Sequence, residues 1–600
     1  MDTKKTSSRG ALNTIIWVLK LSATYAPLLI GLMFFVQLFT NVLPLVEQKY
    51  LSNLIDELIG AVSHQNRAWV TLLVIFLIIR IIKIVFQQLQ WLVGRILDFH
   101  TQNELRKIYL NKTASLDYQH FESKEIANLM SKVNEEYQWR FRQVQSDIFQ
   151  LIGQVISFIA TLVFLFPHYW YLGLLLVLGE LPGLLVDKKW QRIDWETFNL
   201  YNEKNRPAWD IHNQLTQKRY IAEAKINQAI DWLKNKFITT FDDYTAIRIK
   251  NRQTKFLPDL AAALFSVGIS GVCLALIIGD IGKGLITVGM FTFYLNIIRS
   301  FGDYFSGILN SFISVNEQVL HINNFRRILE LPPAIPAGTI KIPSGLPPLI
   351  EFKNVDFKYP NTKTFIFKNL NLTIKPGEEI AIVGANGAGK STLIKLICRF
   401  YDPTEGQILV NGIDLKTISQ NSWYKLLSLL TQEFNIYPNL SLKDNIIVSR
   451  STTKASNSKV IAALKQAEAY DFVRRYEQGL DTPLSQRYGG EEPSWGQWQK
   501  IAIARIFYRD AKVLILDEPT ASIDAVSEAK IFDRLYRQTT GKTLIIVSHR
   551  FSTVRNAQRI LVIEKGKIVE QGTHQELLTL SGLYAHSYNL QARGYQENEL

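Results

Sequence analysis

Cysteine is scarce in this chain, whose 600 residues include only Cys273 and Cys398. Two cysteines cannot form a disulfide framework, and these two show no metal-ligand spacing, so we assign them no chemistry. The scarcity excludes a disulfide-rich secreted scaffold and suits a protein that faces the reducing cytoplasm.

Acidic residues are also in deficit, with 53 Asp and Glu against 67 Lys and Arg and a formal net charge of +14. Nucleic-acid binding and basic residues beside membrane spans explain such an excess equally well. The placement of the basic residues decides between them, because many lie in two long connectors between apolar stretches, near 94–145 and 187–256. We therefore expect the connectors and both termini to be cytoplasmic, and we expect no nucleic-acid partner.

No clear small-residue cleavage site follows the N-terminal basic and apolar residues, so we expect no cleavable signal peptide. We expect an interfacial helix near 11–21 and, after it, apolar segments long enough to cross a lipid bilayer. The sequence predicts an all-α six-helix transmembrane domain at 1–328, with candidate spans near 25–46, 68–93, 146–166, 169–186, 257–279 and 285–314.

The candidate spans contain ionisable residues, of which five are singled out here, and a charge at mid-bilayer costs roughly 2.5 to 3.5 kcal/mol on insertion scales. Such residues usually face a protein interior or a water-filled cavity, which makes them candidate cavity residues. Alternatively, the true bounds of the spans differ from those given above, and some of these side chains extend to the membrane–water interface. The five residues are Arg80, Lys83, Glu180, Arg299 and Asp303.

A proline-rich segment at 329–349 cannot continue a helix and predicts a linker between two domains. From 350 to 600, strand-like apolar runs alternate with helical ones, which is the pattern of an α/β domain with a mainly parallel sheet. The sequence therefore predicts a multidomain membrane protein, in which an all-α transmembrane domain is followed by an α/β domain.

The second domain contains the run Gly384-Ala385-Asn386-Gly387-Ala388-Gly389-Lys390-Ser391, which fits the pattern G-x-x-x-x-G-K-[ST]. A strand-like run precedes it and a helix-like run follows it, as a phosphate-binding loop requires. Glycines let backbone N–H groups surround phosphate oxygens, the lysine reaches the β- and γ-phosphates, and the serine hydroxyl can ligate Mg²⁺. The helix N-terminus adds positive partial charge. The pattern predicts nucleotide binding, so the expected second domain is an α/β P-loop ATPase domain.

Two further apolar runs end in polar residues, one in Asp517 and Glu518 and the other in His549. Because ligands bind outside the carboxyl ends of strands in open parallel sheets, these side chains should emerge beside the phosphate loop. Asp517 suits Mg²⁺, a cation that takes oxygen ligands, and Glu518 is then free to polarise an attacking water. His549 could hydrogen-bond a γ-phosphate, and Gln432 is a similar candidate, although each could be merely structural.

These motifs make the second half resemble the nucleotide-binding domain of ATP-binding cassette (ABC) transporters. The whole chain resembles a bacterial half-transporter of the exporter type. The resemblance implies that Glu518, His549 and Gln432 are catalytic, that Mg²⁺ is held by Ser391, Gln432 and Asp517, and that 522–524 form the D-loop. It also implies that Tyr359 stacks on adenine, with a packing aromatic as the alternative. The implied Walker A residues are Gly384, Asn386, Gly387, Gly389, Lys390, Ser391 and Thr392.

The signature motif departs from the family pattern L-S-G-G-Q, because the chain has Pro493-Ser494-Trp495-Gly496-Gln497 there. Ser494, Gly496 and Gln497 are kept, and the resemblance implies that they bind the nucleotide of a partner cassette. Proline is tolerated near a helix start. Trp495 could obstruct the phosphate or could point away from it. We favour a working site over a weakened one.

Since one chain carries one Walker A loop and one signature, the resemblance implies a dimer with two composite ATP sites. A homodimer is expected, and a heterodimer remains an alternative. The implied function is ATP-driven export of a drug, lipid or peptide across a bacterial cytoplasmic membrane by alternating access. The implied chemistry is phosphoryl transfer to water. The rival hypotheses are an ATP-gated channel or regulator and a subunit with a weakened ATP site.

Overall fold

The computed structural model describes residues 8–64, 67–450, 456–519, 523–538 and 541–596. The chain divides into two compact units. The first comprises 1–115 and 127–331, and the second comprises 116–126 and 332–600.

All regular secondary structure in the described part of the N-terminal half is helical. Its longest helix contains one residue with non-helical backbone angles, Tyr169 at φ −140° and ψ 44°, which marks a kink between two helical segments. The helices are α1 Ser8–Tyr25, α2 Pro27–His64, α3 Ala68–Ala114, α4 Tyr118–Glu122, α5 Lys124–Thr216, α6 Lys218–Ile226, α7 Ile230–Gly282 and α8 Val288–Leu329.

Within the described ranges, four helical segments are long and apolar enough to cross a membrane: Pro27–Gly60, Ala68–Ala114, Tyr137–Asp194 and Ile230–Gly282. The third segment contains both the third and the fourth expected spans, which meet at the kink at Tyr169. The sixth expected span lies in α8, which is not among the four segments. The long connectors remain helical, as expected, and are interrupted near 115–123 and 217.

Aromatic side chains pack together where α1, α3, α5 and α8 meet. Val18 of α1 is fully buried in this cluster, and the ring of Tyr137 stacks on that of Phe325 at 5.5 Å between centroids. Trp17 contacts Phe141 and Phe325 edge-on or tilted, at 6.3 and 6.4 Å. The expected N-terminal helix is therefore present, and one of its faces belongs to the core of this unit.

The five ionisable residues of the candidate spans lie in different surroundings. Lys83 forms an ion pair with Glu47, and Arg80 lies 4.0 Å from the same carboxylate. The Glu180 carboxylate accepts a hydrogen bond from the Ser266 hydroxyl at 2.7 Å. The other two, Arg299 and Asp303, are exposed to solvent in the single chain.

The second unit is the predicted α/β domain. Its strands are β1 Ile350–Phe357, β2 Phe367–Ile374, β3 Glu379–Val383, β4 Glu405–Val410, β5 Ile413–Asp414, β6 Leu427–Leu430, β7 Val513–Asp517, β8 Thr543–Val547, β9 Arg559–Glu564 and β10 Lys567–Gly572. Its further helices are α9 Lys390–Ile397, α10 Gln420–Leu426, α11 Leu442–Ile447, α12 Asn457–Gln466, α13 Tyr470–Val473, α14 Trp495–Arg509, α15 Ala525–Gln538, α16 Phe551–Val554, α17 His574–Leu580 and α18 Leu583–Gln596.

In the described part of this unit, six strands form a sheet in the order β10-β9-β3-β8-β7-β6, and all but β10 run parallel. The strands β2-β1-β4-β5 form a separate antiparallel sheet. The burial of β3, β7 and β8 explains their continuous apolar sequences, because a parallel strand is usually covered on both faces. The predicted fold class is confirmed.

Arg399 is a fully buried cation that joins three segments of the second unit. Its guanidinium donates to the carbonyl oxygens of Ile418, Lys416 and Pro336 at 2.6, 2.7 and 2.9 Å. It also lies 3.2 Å from the Asp402 carboxylate. The charge is therefore compensated by acceptors that would themselves be left unpaired without it.

We expect Arg399→Met to lower the free energy of unfolding of the ATPase unit by about 3 kcal/mol, because buried acceptors lose their donor. Scanning calorimetry of the full chain in lipid nanodiscs would measure the change. The matched control is Arg475→Met at an exposed arginine, which should leave the transition unchanged. Equal transitions in the two variants would contradict the assigned role of Arg399.

Candidate functional site

The predicted phosphate loop connects β3 to α9 and has the backbone that its glycines allow. Gly384, Gly387 and Gly389 have φ angles of 153°, 79° and 112°, which residues with a Cβ atom rarely adopt. A Cβ at Gly384 would also lie 2.2 Å from the carbonyl oxygen of Ile563. The loop tip at 385–387 is exposed to solvent. The glycine spacing is thus a requirement of the turn itself.

Lys390 begins α9 and is buried, so its ammonium folds back over the loop. Its Nζ donates to the carbonyl oxygens of Gly384 and Ala385 at 2.7 and 3.0 Å. Burial lowers the pKa of Lys390, while Glu518 and Asp517 act in the opposite direction. The ammonium is held at the loop, where it can bind phosphate oxygens.

Asp517 ends β7, and its Oδ2 lies 3.4 Å from the Ser391 hydroxyl, which donates to it. Burial raises the pKa of the Asp517 carboxyl, and the nearby charge of Glu518 raises it further. A carboxylate and a hydroxyl together are the hard oxygen donors that Mg²⁺ prefers. Among the described residues, no cluster of three or more His, Cys, Asp or Glu could hold a metal alone. A cation here would need further oxygens from phosphate or water.

Glu518 follows Asp517 with a φ of 48°, a conformation that is costly for a residue other than glycine. Its backbone N–H donates to the Val547 carbonyl at 2.9 Å, which ties the residue to the end of β8. Gln432 donates from Nε2 to one carboxylate oxygen at 2.9 Å, and Nε2 of His549 lies 3.3 Å from the other. The structure therefore brings the three predicted catalytic side chains together.

Tyr359 packs edge-on against Phe357 and Tyr401, at 5.1 and 5.2 Å between ring centroids. Its hydroxyl is 3.0 Å from that of Thr392 in α9. The Nζ atom of Lys395, also in α9, lies over the ring at 5.2 Å. Tyr359 is therefore a packing aromatic whose hydroxyl and ring contact α9, and its stacking on adenine stays a prediction.

The short helix α4 belongs to the second unit, although its sequence lies between long membrane helices. Its Glu122 forms an ion pair with Lys395 and accepts a hydrogen bond from the Tyr401 hydroxyl. Tyr118 stacks on Phe400 at 4.5 Å. Burial opposes the charge of Glu122, but its bonds to Lys395 and Tyr401 lower its pKa overall. Glu122 and Tyr118 therefore connect α4 to α9 and to the residues that follow it.

The altered signature forms the start of α14. Ser494 is the N-cap, and it forms a capping box with Gln497: its hydroxyl accepts from the Gln497 backbone, and the Gln497 side chain accepts from the Ser494 backbone. The Trp495 ring is 53% exposed and packs against Phe434 at 4.8 Å between centroids. Gly496 is half-buried in the first turn. The indole is thus directed at Phe434, and the helix start is preserved.

Several residues of this site were missed by the sequence analysis. Phe434, Lys395, Tyr401 and Glu122 belong to no motif, and nothing in the local sequence marks them as neighbours of the phosphate loop. In the predicted D-loop, Ser522 lies outside the described residues. Asp524, in the same loop, accepts a backbone hydrogen bond from Ser527 at 2.8 Å.

Comparison with protein families gives two matches in this chain. Residues 30–207 match the ABC transporter transmembrane region, and residues 367–521 match the ABC transporter model. The second match contains the phosphate loop, the signature and the two carboxylates. The order of the two matched regions agrees with the order of the two units.

Individual proteins show the same arrangement. The chain is 28% identical over 556 residues to the subtilin transport ATP-binding protein SpaT of Bacillus subtilis, with 91% of this chain and 89% of that protein covered. It is 43% identical over 242 residues to a "Putative multidrug export ATP-binding/permease protein" of Staphylococcus aureus, covering 40% and 41%. A bacterial Atm1-family ABC exporter with ATP bound shares the fold, with a TM-score of 0.80, 23% identity and coverage of 94% and 99%.

The surroundings of His549 predict how ATP hydrolysis depends on pH. Burial and the neighbouring Lys390 lower the pKa of His549 from its ordinary 6.5, against the opposing effect of Glu518. The imidazole is therefore neutral at pH 7, and its protonation below pH 6.5 would strengthen its pairing with the Glu518 carboxylate. We expect kcat/KM for ATP to be constant down to pH 6.5 and to fall below it, since this ratio reports groups of the free enzyme.

A profile of kcat/KM against pH between pH 5 and 8 would give the pH at which kcat/KM falls to half of its plateau value, which is its midpoint. His586→Gln, at an exposed histidine, is the matched control and should reproduce the wild-type profile. A midpoint above pH 6.5 in both proteins would contradict the assignment.

Proposed function

Because this chain belongs to the ABC transporters and couples ATP hydrolysis to transport, we propose that it exports its substrate by alternating access as a dimer of identical chains. We assign 1–328 to the membrane domain, 329–349 to the linker and 350–600 to the ATPase domain. The observation that carries the proposal is the meeting of Gln432, Glu518 and His549 beside the phosphate loop.

We assign Glu518 as the residue that polarises the attacking water. Its carboxylate is held by the hydrogen bond from Gln432, by the nearby His549 ring and by the unusual backbone angle, so little reorganisation is needed when the reaction begins. Lys390 would neutralise phosphate charge at the loop. Asp517 and Ser391 would hold Mg²⁺, which supplies charge neutralisation at the β- and γ-phosphates. Gln432, also expected to be a ligand, contacts Glu518 instead, so we place it as a positioning residue.

The dimer is supported by two exposed surfaces of one chain. The loop tip at 385–387 and the N-terminus of α14 at Ser494 both face solvent, and each is a set of backbone N–H groups suited to an anion. A nucleotide held between such surfaces from two chains would close the pair. Hydrolysis and release would reopen it, which is a population shift between two states. The bacterial cytoplasmic membrane is the proposed location.

The substrate classes that remain are drugs, lipids and peptides. The printed name of the Bacillus relative refers to subtilin transport and that of the Staphylococcus relative to multidrug export, so relatives of this chain differ in what they carry.

We expect Glu518→Gln to lower ATP hydrolysis by about 100-fold or more while ATP binding is kept, because the base is lost and the phosphate loop is intact. The chain would be reconstituted in vesicles with a compound that stimulates its ATPase, and compound movement would be followed with and without ATP. Glu405→Gln, at an exposed residue of β4, is the control and should behave as wild type. Wild-type rates of movement down a gradient in Glu518→Gln would favour the ATP-gated channel.

Trp495 decides between a working and a weakened site. Its ring packs on Phe434, so we expect Trp495→Gly, which restores the family residue, to change the ATPase rate by less than about threefold. Trp495→Phe, which keeps an aromatic ring at this position, should match wild type. If Trp495→Gly raised the rate tenfold or more, the indole would be an obstruction, and the weakened-site alternative would be correct.

A further inference from the structure

The loop that carries His549 runs from the end of β8 to the short helix α16, and hydrogen bonds fix it at several points. The Arg550 backbone N–H donates to the Ser548 hydroxyl at 3.0 Å. The Arg550 guanidinium pairs with Glu528 of α15, whose other carboxylate oxygen accepts from the Thr553 hydroxyl at 2.8 Å. These bonds hold the residues on either side of His549.

Gln591 of α18 bonds to His549 itself. Its Nε2 donates to the His549 carbonyl at 3.1 Å, and its Oε1 accepts from the Phe551 backbone N–H at 3.3 Å. A carboxamide has both a donor and an acceptor, so it can take the place of a neighbouring strand that bonds on either side of Arg550. One side chain therefore restrains both peptide units between His549 and Phe551.

The N–H group that Gln591 satisfies belongs to the first turn of α16, where helix N–H groups have no partner within the helix. Arg550 occupies the N-cap position of α16. An arginine side chain has donors only, so it cannot cap this turn as a serine or an aspartate would. Gln591 supplies an acceptor from another helix, and with the same carboxamide it binds the backbone of His549.

The helix α18 is a firmly packed support for this contact. Tyr584 in its first turn is 1% exposed, and the rings of Tyr584 and Tyr588 pack edge-on against Phe551, at 5.2 and 5.4 Å between centroids. Glu570 of β10 accepts hydrogen bonds from the first two backbone N–H groups of α18, at 2.5 and 3.1 Å. The position of the half-buried Gln591 is therefore set by the packing of α18 on the rest of the ATPase unit.

Close packing alone does not fix the His549 loop on the side of α18. A cavity of about 570 Å³ lies there, and His549, Gly384 and Gln591 are among its lining residues. Where side chains leave such a gap, fewer contacts oppose a displacement, and the position of a loop depends more on its specific hydrogen bonds. Loss of the bond from Gln591 would therefore leave His549 room to move.

The His549 imidazole lies 3.3 Å from the Glu518 carboxylate, so a small displacement of its backbone would separate the two groups. We propose that Gln591 is a positioning residue for ATP hydrolysis, which holds the imidazole at Glu518 through the His549 carbonyl. The inference rests on the proposed function, because it assigns a support to the proposed roles of His549 and Glu518. It extends the site to α18.

The test is a double-mutant cycle of Gln591→Met and His549→Ala in the full chain in lipid nanodiscs, with hydrolysis of radiolabelled ATP as the readout. Methionine has nearly the volume of glutamine but lacks the carboxamide. We expect Gln591→Met alone to lower kcat about tenfold and to change KM for ATP by less than about twofold, since the phosphate loop is intact. His549→Ala alone should lower kcat about 100-fold.

In a chain that already carries His549→Ala, Gln591→Met should lower kcat by less than about twofold, because no imidazole is left to position. The bond from Gln591 is to the His549 backbone, so it survives in His549→Ala. A purely structural contribution would therefore lower kcat about tenfold in both backgrounds, and that result would overturn the proposal. Equal kcat in Gln591→Met and wild type would also overturn it, because the pairing of Arg550 with Glu528 would then suffice.

Gln591→Glu is the second variant, and it replaces Gln591→Met in the cycle should that variant fail to fold. An ionised glutamate keeps an acceptor for the Phe551 N–H but has no donor for the His549 carbonyl. We expect it to lower kcat about tenfold as well. Wild-type kcat in Gln591→Glu would mean that only the docking of α18 matters, and the proposal would be wrong. Asn589→Met, at an exposed carboxamide on the same helix, is the matched control and should behave as wild type.

The two proposals fail in distinguishable ways. Wild-type kcat in His549→Ala would contradict the proposed site and this inference together. A large effect of His549→Ala to which the full effect of Gln591→Met is added would contradict only the inference. The expected cycle, found in a chain that moves no compound in response to ATP, would support the inference and contradict only the proposed export.

Discussion

The parallel register of three strands is the constraint on which the ATP site depends. Ile382 of β3 pairs with Val547 of β8, and Val547 pairs in turn with Asp517 of β7. The residues that follow these positions must therefore leave the sheet at one edge, and they include the phosphate loop, Glu518 and His549. The hydrogen bond from the Glu518 backbone to Val547 extends this pairing by one residue and holds the unusual φ angle.

This constraint explains how much of the site could be predicted from sequence. Buried parallel strands read as short apolar runs, and the residue after each run is placed by the sheet rather than by its own preference. The meeting of Lys390, Asp517, Glu518 and His549 therefore followed from strand order alone. The φ angle of Glu518 could not be predicted, because a glutamate has no local preference for it and only the surrounding structure imposes it.

The residues around Tyr359 and Trp495 could not be predicted, because their contacts are distant in sequence. Glu122 lies 273 positions before Lys395, and no periodicity connects α4 with α9. Trp495 was ambiguous because the sequence gives no direction for its side chain, and Phe434 supplies that direction only after folding. In both cases the local pattern identified the position, and tertiary packing determined what the side chain does there.

The charged residues of the membrane unit show the same difference between what the sequence marks and what tertiary packing determines. Hydropathy marks charged residues as expensive, so sequence analysis singled out Lys83 and Glu180, yet Lys83 pairs with Glu47 and Glu180 accepts from Ser266. Paired charges can be tolerated in a bilayer but have little left to offer a ligand. Sequence therefore identifies which charges are costly, and only the tertiary structure shows which partner satisfies each of them.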